Sequence, residues 1–322
     1  MSPTILVIGD FILDETYHVE VNRISPEAPV ATAELLHRRP TQTPGGAGFA
    51  AAFAARQGYN VYLAGAIAPR NRNLLSQEYN IKVIGVEEVE LNVTKTRFVD
   101  LASGYHILRL DNDKIAGRPT STPEKVISGI EPIVGKIDAC LISDYRKGFF
   151  DPTFSPWSRL ISYFTLQQIP IILDTRNENI RHWFDDNEGK EPLGRFPTGA
   201  WLKLNRREIR KVTDNLLSSK ADPRELVDQG IISNLALTKS KEGAAIYQFT
   251  GKGLPSTRFY LPTPEKIITG APDPTGCGDI FDISFIANLA ESKDSKVSLQ
   301  RAIETSWKFA YIPFKEKLGC LR

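Results

Sequence analysis

The sequence predicts an α/β fold in which a mainly parallel central sheet carries a small β-strand lid. An apolar run at 4–10, TILVIGD, stopped by Gly-Asp, reads as a buried first strand. From position 120 onward strand and helix signals alternate, as in βα units that build a parallel sheet. Two stretches, 16–38 and 94–111, alternate apolar and polar residues instead, which suits half-exposed strands of a lid. A chain of 322 residues is long enough for one large domain over 1–322 with such an appendage.

Composition narrows the function classes. Forty Lys and Arg against thirty-eight Asp and Glu leave a net charge of +2, which gives no electrostatic case for nucleic acid or a membrane surface. No apolar run reaches the ~18 residues of a membrane span, and the start MSPTILVIGD lacks a signal peptide's basic and apolar regions. A cytoplasmic location is expected. Cys140, Cys277 and Cys320 are widely separated, which argues against a disulfide framework, and the histidines show no zinc-ligand spacing.

The first strand delivers Asp10 and Asp14 to its C-terminal end, where ligands gather in open α/β sheets. Both can accept from sugar hydroxyls; solvated loop acids are the alternative. Tyr17, Val19 and Val21, then 30–36, form the first lid pair across RISPEAP at 23–29. Residues 94–101 and 105–110 form the second, a hairpin through Ser103-Gly104. Such a lid would keep water from a reacting group, and its exposed strand faces suit pairing into a homodimer. Pro44-Gly45-Gly46 opens a helix of small residues that Gly58 ends. Gly46-x-Gly48-x-x-Ala51 satisfies a dinucleotide fingerprint, but the polar RRPTQTP before it supplies no apolar strand, which argues against a Rossmann dehydrogenase.

Beyond 120, Thr122-Pro123-Glu124 begins a helix, 137–143 and 169–174 are strands, and 155–168 is the helix between them. Asp144 and Lys147 follow a strand end, suited to a ligand or to surface salt bridges. The polar segment 185–199 is a surface loop. Residues 201–208 run from strand into helix, 235–247 read as strand, turn, strand, and 299–314 is a last helix cut at Pro313.

The most informative stretch is D-P-T-G-C-G-D at 273–279, followed by Ile283, Ile286, Leu289 and Ala290 at helical spacing. A glycine turn thus opens onto a helix, and the unpaired amides and dipole there make Gly276, Cys277 and Gly278 an anion site. Asp279 adds negative charge. It either favours the helix N-terminus electrostatically, or takes the proton from a substrate hydroxyl while the amides stabilise a transferring phosphoryl group. Cys277 fits as a small residue; a redox-sensitive thiol is the alternative, because a helix N-terminus lowers a thiol pKa.

This heptapeptide and the helix after it resemble the D-T-x-G-A-G-D signature of the ribokinase-like (PfkB) sugar and nucleoside kinases, and the likeness extends over nearly the whole chain. The resemblance implies a three-layer α/β/α sandwich, ATP and Mg²⁺, Asp279 as catalytic base, and an anion hole at Gly276, Cys277 and Gly278. It implies that Asp273 and Thr275 hold a monovalent cation, K⁺, and that Gly45 and Gly46 admit the sugar. Asp144 and Lys147 would approach acceptor and phosphates, Asn205 the phosphates, and Glu208 water-bound Mg²⁺. Thr238, Ser240 and Gly243 would contact nucleotide phosphates. No Walker A sequence occurs, which disfavours a P-loop kinase.

Two positions depart from the family. Phe49 stands where its G-G-x-x-N segment has Asn, and ETSWKF at 304–309 replaces an Asn- and Ala-rich helix beside the adenine. A narrower resemblance to bacterial heptose-7-phosphate kinases rests on RISPEAPV at 23–30, LRLD at 108–111 with Arg109, ISDYRKG at 142–148 and KLG at 317–319. It implies a sugar or sugar phosphate as acceptor. A nucleoside kinase and a sugar- or nucleotide-binding protein without transfer are the alternatives, and a chain ending at Arg322 is expected to carry no fused nucleotidyltransferase domain.

Overall fold

The apolar N-terminal run is strand β1 (Thr4–Gly9), and its side chains alternate between two cores. Leu6 and Ile8 join one, Ile5 and Val7 the other, so β1 is central and covered on both faces. The computed structural model describes residues 2–87, 89–113, 120–153, 156–177, 180–184, 194–217, 222–251, 254–265, 272–312 and 317. After β1 come β2 (Phe11–Ile24), β3 (Ala31–Leu35), β4 (Thr41–Gly46), α1 (Ala47–Arg56), β5 (Asn60–Ala66), α2 (Pro69–Tyr79), β6 (Lys82–Glu87), β7 (Val93–Asp100) and β8 (His106–Asn112). They are followed by α3 (Pro123–Ile130), β9 (Ala139–Asp144), α4 (Ser158–Leu166), β10 (Ile171–Thr175), β11 (Trp201–Asn205) and α5 (Arg206–Leu216). The remainder is α6 (Pro223–Asp228), β12 (Asn234–Thr238), β13 (Ala244–Gln248), β14 (Thr257–Leu261), α7 (Cys277–Ser292) and α8 (Ser295–Ala310).

The main sheet has the order β14-β13-β12-β11-β10-β9-β1-β5-β6. It is parallel from β6 to β12 and turns antiparallel at β13 and β14. One core takes Val126 of α3, Leu160 of α4, Ile209 of α5 and Leu226 of α6; the other takes Ala51 of α1, Leu75 of α2, Ile283 of α7 and Leu299 of α8. Three layers result. Local signals set the helix starts: the Thr122 hydroxyl accepts from the Lys125 amide (3.3 Å) ahead of Pro123, and Asn205 with Glu208 closes a capping box on α5. Among the described residues no helix is long and apolar enough to cross a membrane.

The second sheet, β3-β2-β7-β8 with β4 also on β2, is built from the lid segments. Its register sets Asp14 opposite Lys95, Lys95 opposite Asp111, and Arg97 opposite Arg109. Two features differ from the sequence reading. Asp14 lies inside β2, because the strand resumes at Phe11 directly after β1. A strand also leads into the Gly46 turn: TQTPGG pairs antiparallel with β2, its backbone bonds needing no apolar pattern. It belongs to the lid, so the parallel βαβ context of a dinucleotide site is missing there. The expected loop lies outside the described residues at 185–193, as do 155, 313–316 and 318–319.

Candidate active site

Parallel register brings the C-terminal ends of five strands to one edge. Gly9 lies opposite Ser143, Asp144 opposite Thr175, Asp174 opposite Lys203, and Asn205 opposite Thr238. Asp10, Tyr145, Arg176 and the N-terminus of α5 therefore emerge side by side, in the crevice where α/β sheets bind ligands. The N-terminus of α7 meets the same edge: a Cβ on Gly278 would lie 3.3 Å from the Lys203 ammonium.

Gly276 is the N-cap of α7, with φ 81° and no side chain to occupy the amides behind it. A Cβ there would meet the Phe49 ring at 2.6 Å, so glycine is required by backbone and space together. The Cys277 amide turns back onto the Pro274 carbonyl (3.1 Å), unlike the outward role expected of it. The Gly278 and Asp279 amides follow in the first helical turn, where no intrahelical acceptor exists. Burial pushes the Cys277 thiol up to about 11, against the lowering a helix N-terminus alone would give, so it stays protonated at neutral pH.

Asp279 is only 4% exposed, yet its neighbours are polar. The Tyr145 hydroxyl donates to its carboxylate, 2.7 and 2.8 Å from the two oxygens, and the Arg176 guanidinium donates to that hydroxyl at 3.3 Å. Burial pushes Asp279 up to about 6, with Arg176 opposing. Below it lies a buried cation, Lys203, 3.0 Å from Asp174 and 3.7 Å from Asp282. Burial works against each charge in this cluster, but Lys203 and Arg176 still hold Asp174 below the usual carboxylate range. At Asp282 burial outweighs the opposing pull of Lys203, and Asp174 and Asp279 add to it, so its carboxyl is raised well above that range. The floor is thus one ammonium between a carboxyl held low, Asp174, and one raised by burial, Asp282, turned toward the first turn of α7.

The residues expected to face an acceptor divide into supports and exposed groups. Asp10 accepts from the Lys147 amide (3.0 Å) and the Phe149 amide (3.1 Å), and Asp144 from the Arg146 amide (2.9 Å) and the Thr175 hydroxyl (2.7 Å). These two carboxylates fix the 145–149 loop that carries Tyr145. Burial raises the pKa of both. Gly45 lets the Asp14 carboxylate approach, since a Cβ would collide with its oxygen, and Gly46 at φ 57° opens α1. Asp14 pairs with Arg97 (2.5 Å), Lys147 with Asp113 (2.5 Å), and Arg109 with Asp111 (2.6 Å). Lys95, whose pKa burial lowers, stands 5.5 Å over the Tyr145 ring. Four cations and three carboxylates so gathered leave a positive face under the lid.

On the other flank, Asn205 accepts from the Arg207 and Glu208 amides (2.8 and 3.0 Å), and Glu208 accepts from the Asn205 amide (2.8 Å). The pair is therefore a helix cap first. Burial also raises the Glu208 pKa, an effect a divalent cation beside it would reverse. Thr238 ends β12, Ser240 adopts φ 54°, and Gly243 has φ 104° with the Leu261 carbonyl where a Cβ would stand. These three shape a tight turn beside the start of α5. Asp273 and Thr275 do converge on a cation, but it is the Lys317 ammonium, 2.5 and 3.4 Å from their carbonyl oxygens.

Sequence reasoning does not single out Tyr145, Arg176, Lys203, Asp174, Asp282, Lys95 or Arg97. Lys203 has a signal: a charge inside the apolar strand WLKLN, buried on both faces, needs a partner. Arg176 follows strand-end Asp174 much as Lys147 follows Asp144.

Comparison with known proteins matches residues 4–307 to the pfkB family carbohydrate kinase. The chain is 26% identical over 308 residues to the bifunctional protein HldE of Koribacter versatilis, covering 93% of this chain and 58% of that protein. For HldE of Sulfurimonas denitrificans the figures are 27% over 318 residues, 96% and 59%. The chain thus spans less than three fifths of these curated relatives. Among solved structures, phosphofructokinase-2 from Escherichia coli in complex with substrates and products superposes with a TM-score of 0.64 at 17% identity, covering 97% of this chain and 94% of that one. Arabidopsis thaliana ribokinase complexed with ribose and ATP gives 0.62 at 15% identity, covering 100% and 99%.

Proposed function

Because the chain belongs to the pfkB family of carbohydrate kinases, we propose that it transfers the γ-phosphoryl group of ATP to a hydroxyl of a sugar phosphate of the heptose-7-phosphate type. One observation carries the reading: Asp279, raised to about 6 and hydrogen-bonded through Tyr145, stands one residue beyond the uncapped glycine turn of α7. A carboxylate so poised is largely ionised at neutral pH and still basic enough to take a hydroxyl proton. The incoming hydroxyl would displace the Tyr145 hydroxyl from Asp279. The Gly278 and Asp279 amides would then carry charge developing on the transferring group, with Lys203 behind them.

The positive face under the lid favours an anionic acceptor. Arg97 and Arg109 lie directly opposite across β7 and β8, each paired with its own carboxylate, Asp14 and Asp111, and two guanidinium groups so placed suit an anionic group of the acceptor. ATP would lie toward α5 and the 238–243 turn, and Glu208 would hold Mg²⁺ through water, which supplies charge neutralisation on the phosphates when bound. The cytoplasm, where ATP is available, is the compartment this reading requires. Ile24, Leu35, Leu108 and Leu110 are exposed on the lid strands and Tyr105 just before β8, which supports pairing of two lids into a homodimer; light scattering giving only the monomer mass would count against it.

The test is ADP formation across heptose 7-phosphate, fructose 6-phosphate, fructose, ribose and adenosine. The reading expects kcat/KM for a sugar phosphate to exceed that for every neutral acceptor by at least about tenfold. Preference for adenosine would turn the assignment to a nucleoside kinase. Phe49 packed on Gly276 favours one other reading, ligand binding without transfer; tight sugar binding with no ADP formed would support it.

A further inference from the structure

We propose that Lys317 is a built-in monovalent cation, a positioning residue whose ammonium holds the loop before α7 and makes this chain independent of K⁺. The inference rests on the kinase reading for its catalytic consequence, though not for its binding consequence. The Lys317 Nζ lies 2.5 Å from the Asp273 carbonyl oxygen, 3.4 Å from the Thr275 carbonyl oxygen and 3.2 Å from the Asp273 carboxylate. Two carbonyl oxygens accept N–H groups of the ammonium, and the carboxylate pairs with its charge. The side chain is 5% exposed, and the Phe309 ring closes over Nζ at 4.5 Å from its centroid.

Carbonyl and carboxylate oxygens converging on a buried point are what a hard monovalent ion would use. A second positive ion cannot share that point with an ammonium, because like charges at contact distance repel strongly where water is excluded. The residues therefore do not fit K⁺ while Lys317 is in place. The loop is otherwise anchored by the Thr275 amide on the Asp273 carboxylate (3.0 Å) and the Asp273 amide on the Ala310 carbonyl (2.8 Å). Gly276 follows Thr275 directly. Fixing the Thr275 carbonyl fixes the left-handed turn that aims the first amides of α7. The tie reaches across 44 positions of sequence, so it joins two parts of the chain that nothing local would hold together.

The experiment uses the whole chain in KCl and in tetramethylammonium chloride at equal ionic strength, first by thermal melting and then by turnover. Wild type should melt at the same temperature and turn over at the same rate in both salts. Lys317→Ala should melt lower in tetramethylammonium and recover in K⁺, and its kcat should fall about tenfold and recover likewise, with KM for the acceptor little changed. Lys317→Arg should behave as wild type in both salts. Melting needs no acceptor: absence of turnover on every sugar would count against the kinase reading and leave the cation result intact. The proposal is overturned if K⁺ stabilises or activates wild type several-fold, or if Lys317→Ala is indifferent to K⁺. Should the Ala variant not fold, the wild-type comparison decides alone.

Discussion

Replacing Asp279 by Asn removes the base while keeping its shape, with opposite consequences for rate and for stability. The carboxyl is raised from its ordinary 3.8 to about 6, chiefly by burial. A folded-state pKa above the unfolded one means that folding favours the protonated form. Stability is then greatest below about pH 4, falls as pH rises through 6, and at pH 7 is lower by about 3 kcal/mol than with a neutral group. Asp279→Asn should therefore melt at the same temperature as wild type or higher at pH 7. Turnover should fall by about 10²–10⁴, the range of a lost general base, equivalent to about 3–5 kcal/mol of barrier. In wild type, kcat/KM should drop about tenfold per pH unit below 6, as the base takes up its proton. Calorimetry and a coupled ADP assay across pH 5 to 8 measure these together. Turnover within about threefold of wild type would refute Asp279 as base. A fall in melting temperature would refute the claim that its ionised form strains the fold.

Three other perturbations probe the surroundings. Tyr145→Phe removes a bond that favours the ionised carboxylate, so the acidic limb of the pH–rate profile should move upward; an unmoved limb would detach Tyr145 from Asp279 in solution. Arg97→Ala should raise KM for a sugar phosphate about 10–100-fold and leave kcat on a neutral sugar nearly unchanged; equal effects on both would remove the anion from the lid. Lys203→Met leaves Asp174 buried without its cation and should cost about 3–5 kcal/mol in urea unfolding, whereas a loss under about 1 kcal/mol would mean the cluster is solvated.

How legible each part is in the sequence depends on how local its causes are. The α7 N-terminus announces itself, because glycine, a positive φ and an apolar helix are encoded within a few residues. Asp10 and Asp144 read correctly as strand-end residues, but nothing in sequence says that amides of the 145–149 loop, and for Asp144 the Thr175 hydroxyl as well, donate to their oxygens. That choice depends on how β1 and β9 align. β4 escapes notice because TQTPGG pairs through its backbone and carries no apolar alternation. Asn205 and Glu208 can be read as a cap from their spacing alone, and the structure shows that cap. The Asp174–Lys203 pair and the Lys317 contact are long-range, joined only by register between parallel strands and by approach of distant segments.

The most direct test of the central claim is a single-turnover reaction of the whole chain with ATP, Mg²⁺ and heptose 7-phosphate, quenched and followed by phosphorus NMR. The account predicts ADP and a new phosphate ester on the sugar in equal amounts, both lost with Asp279→Asn. Release of inorganic phosphate without an ester, or an ester formed as fast by the Asn variant, would contradict it.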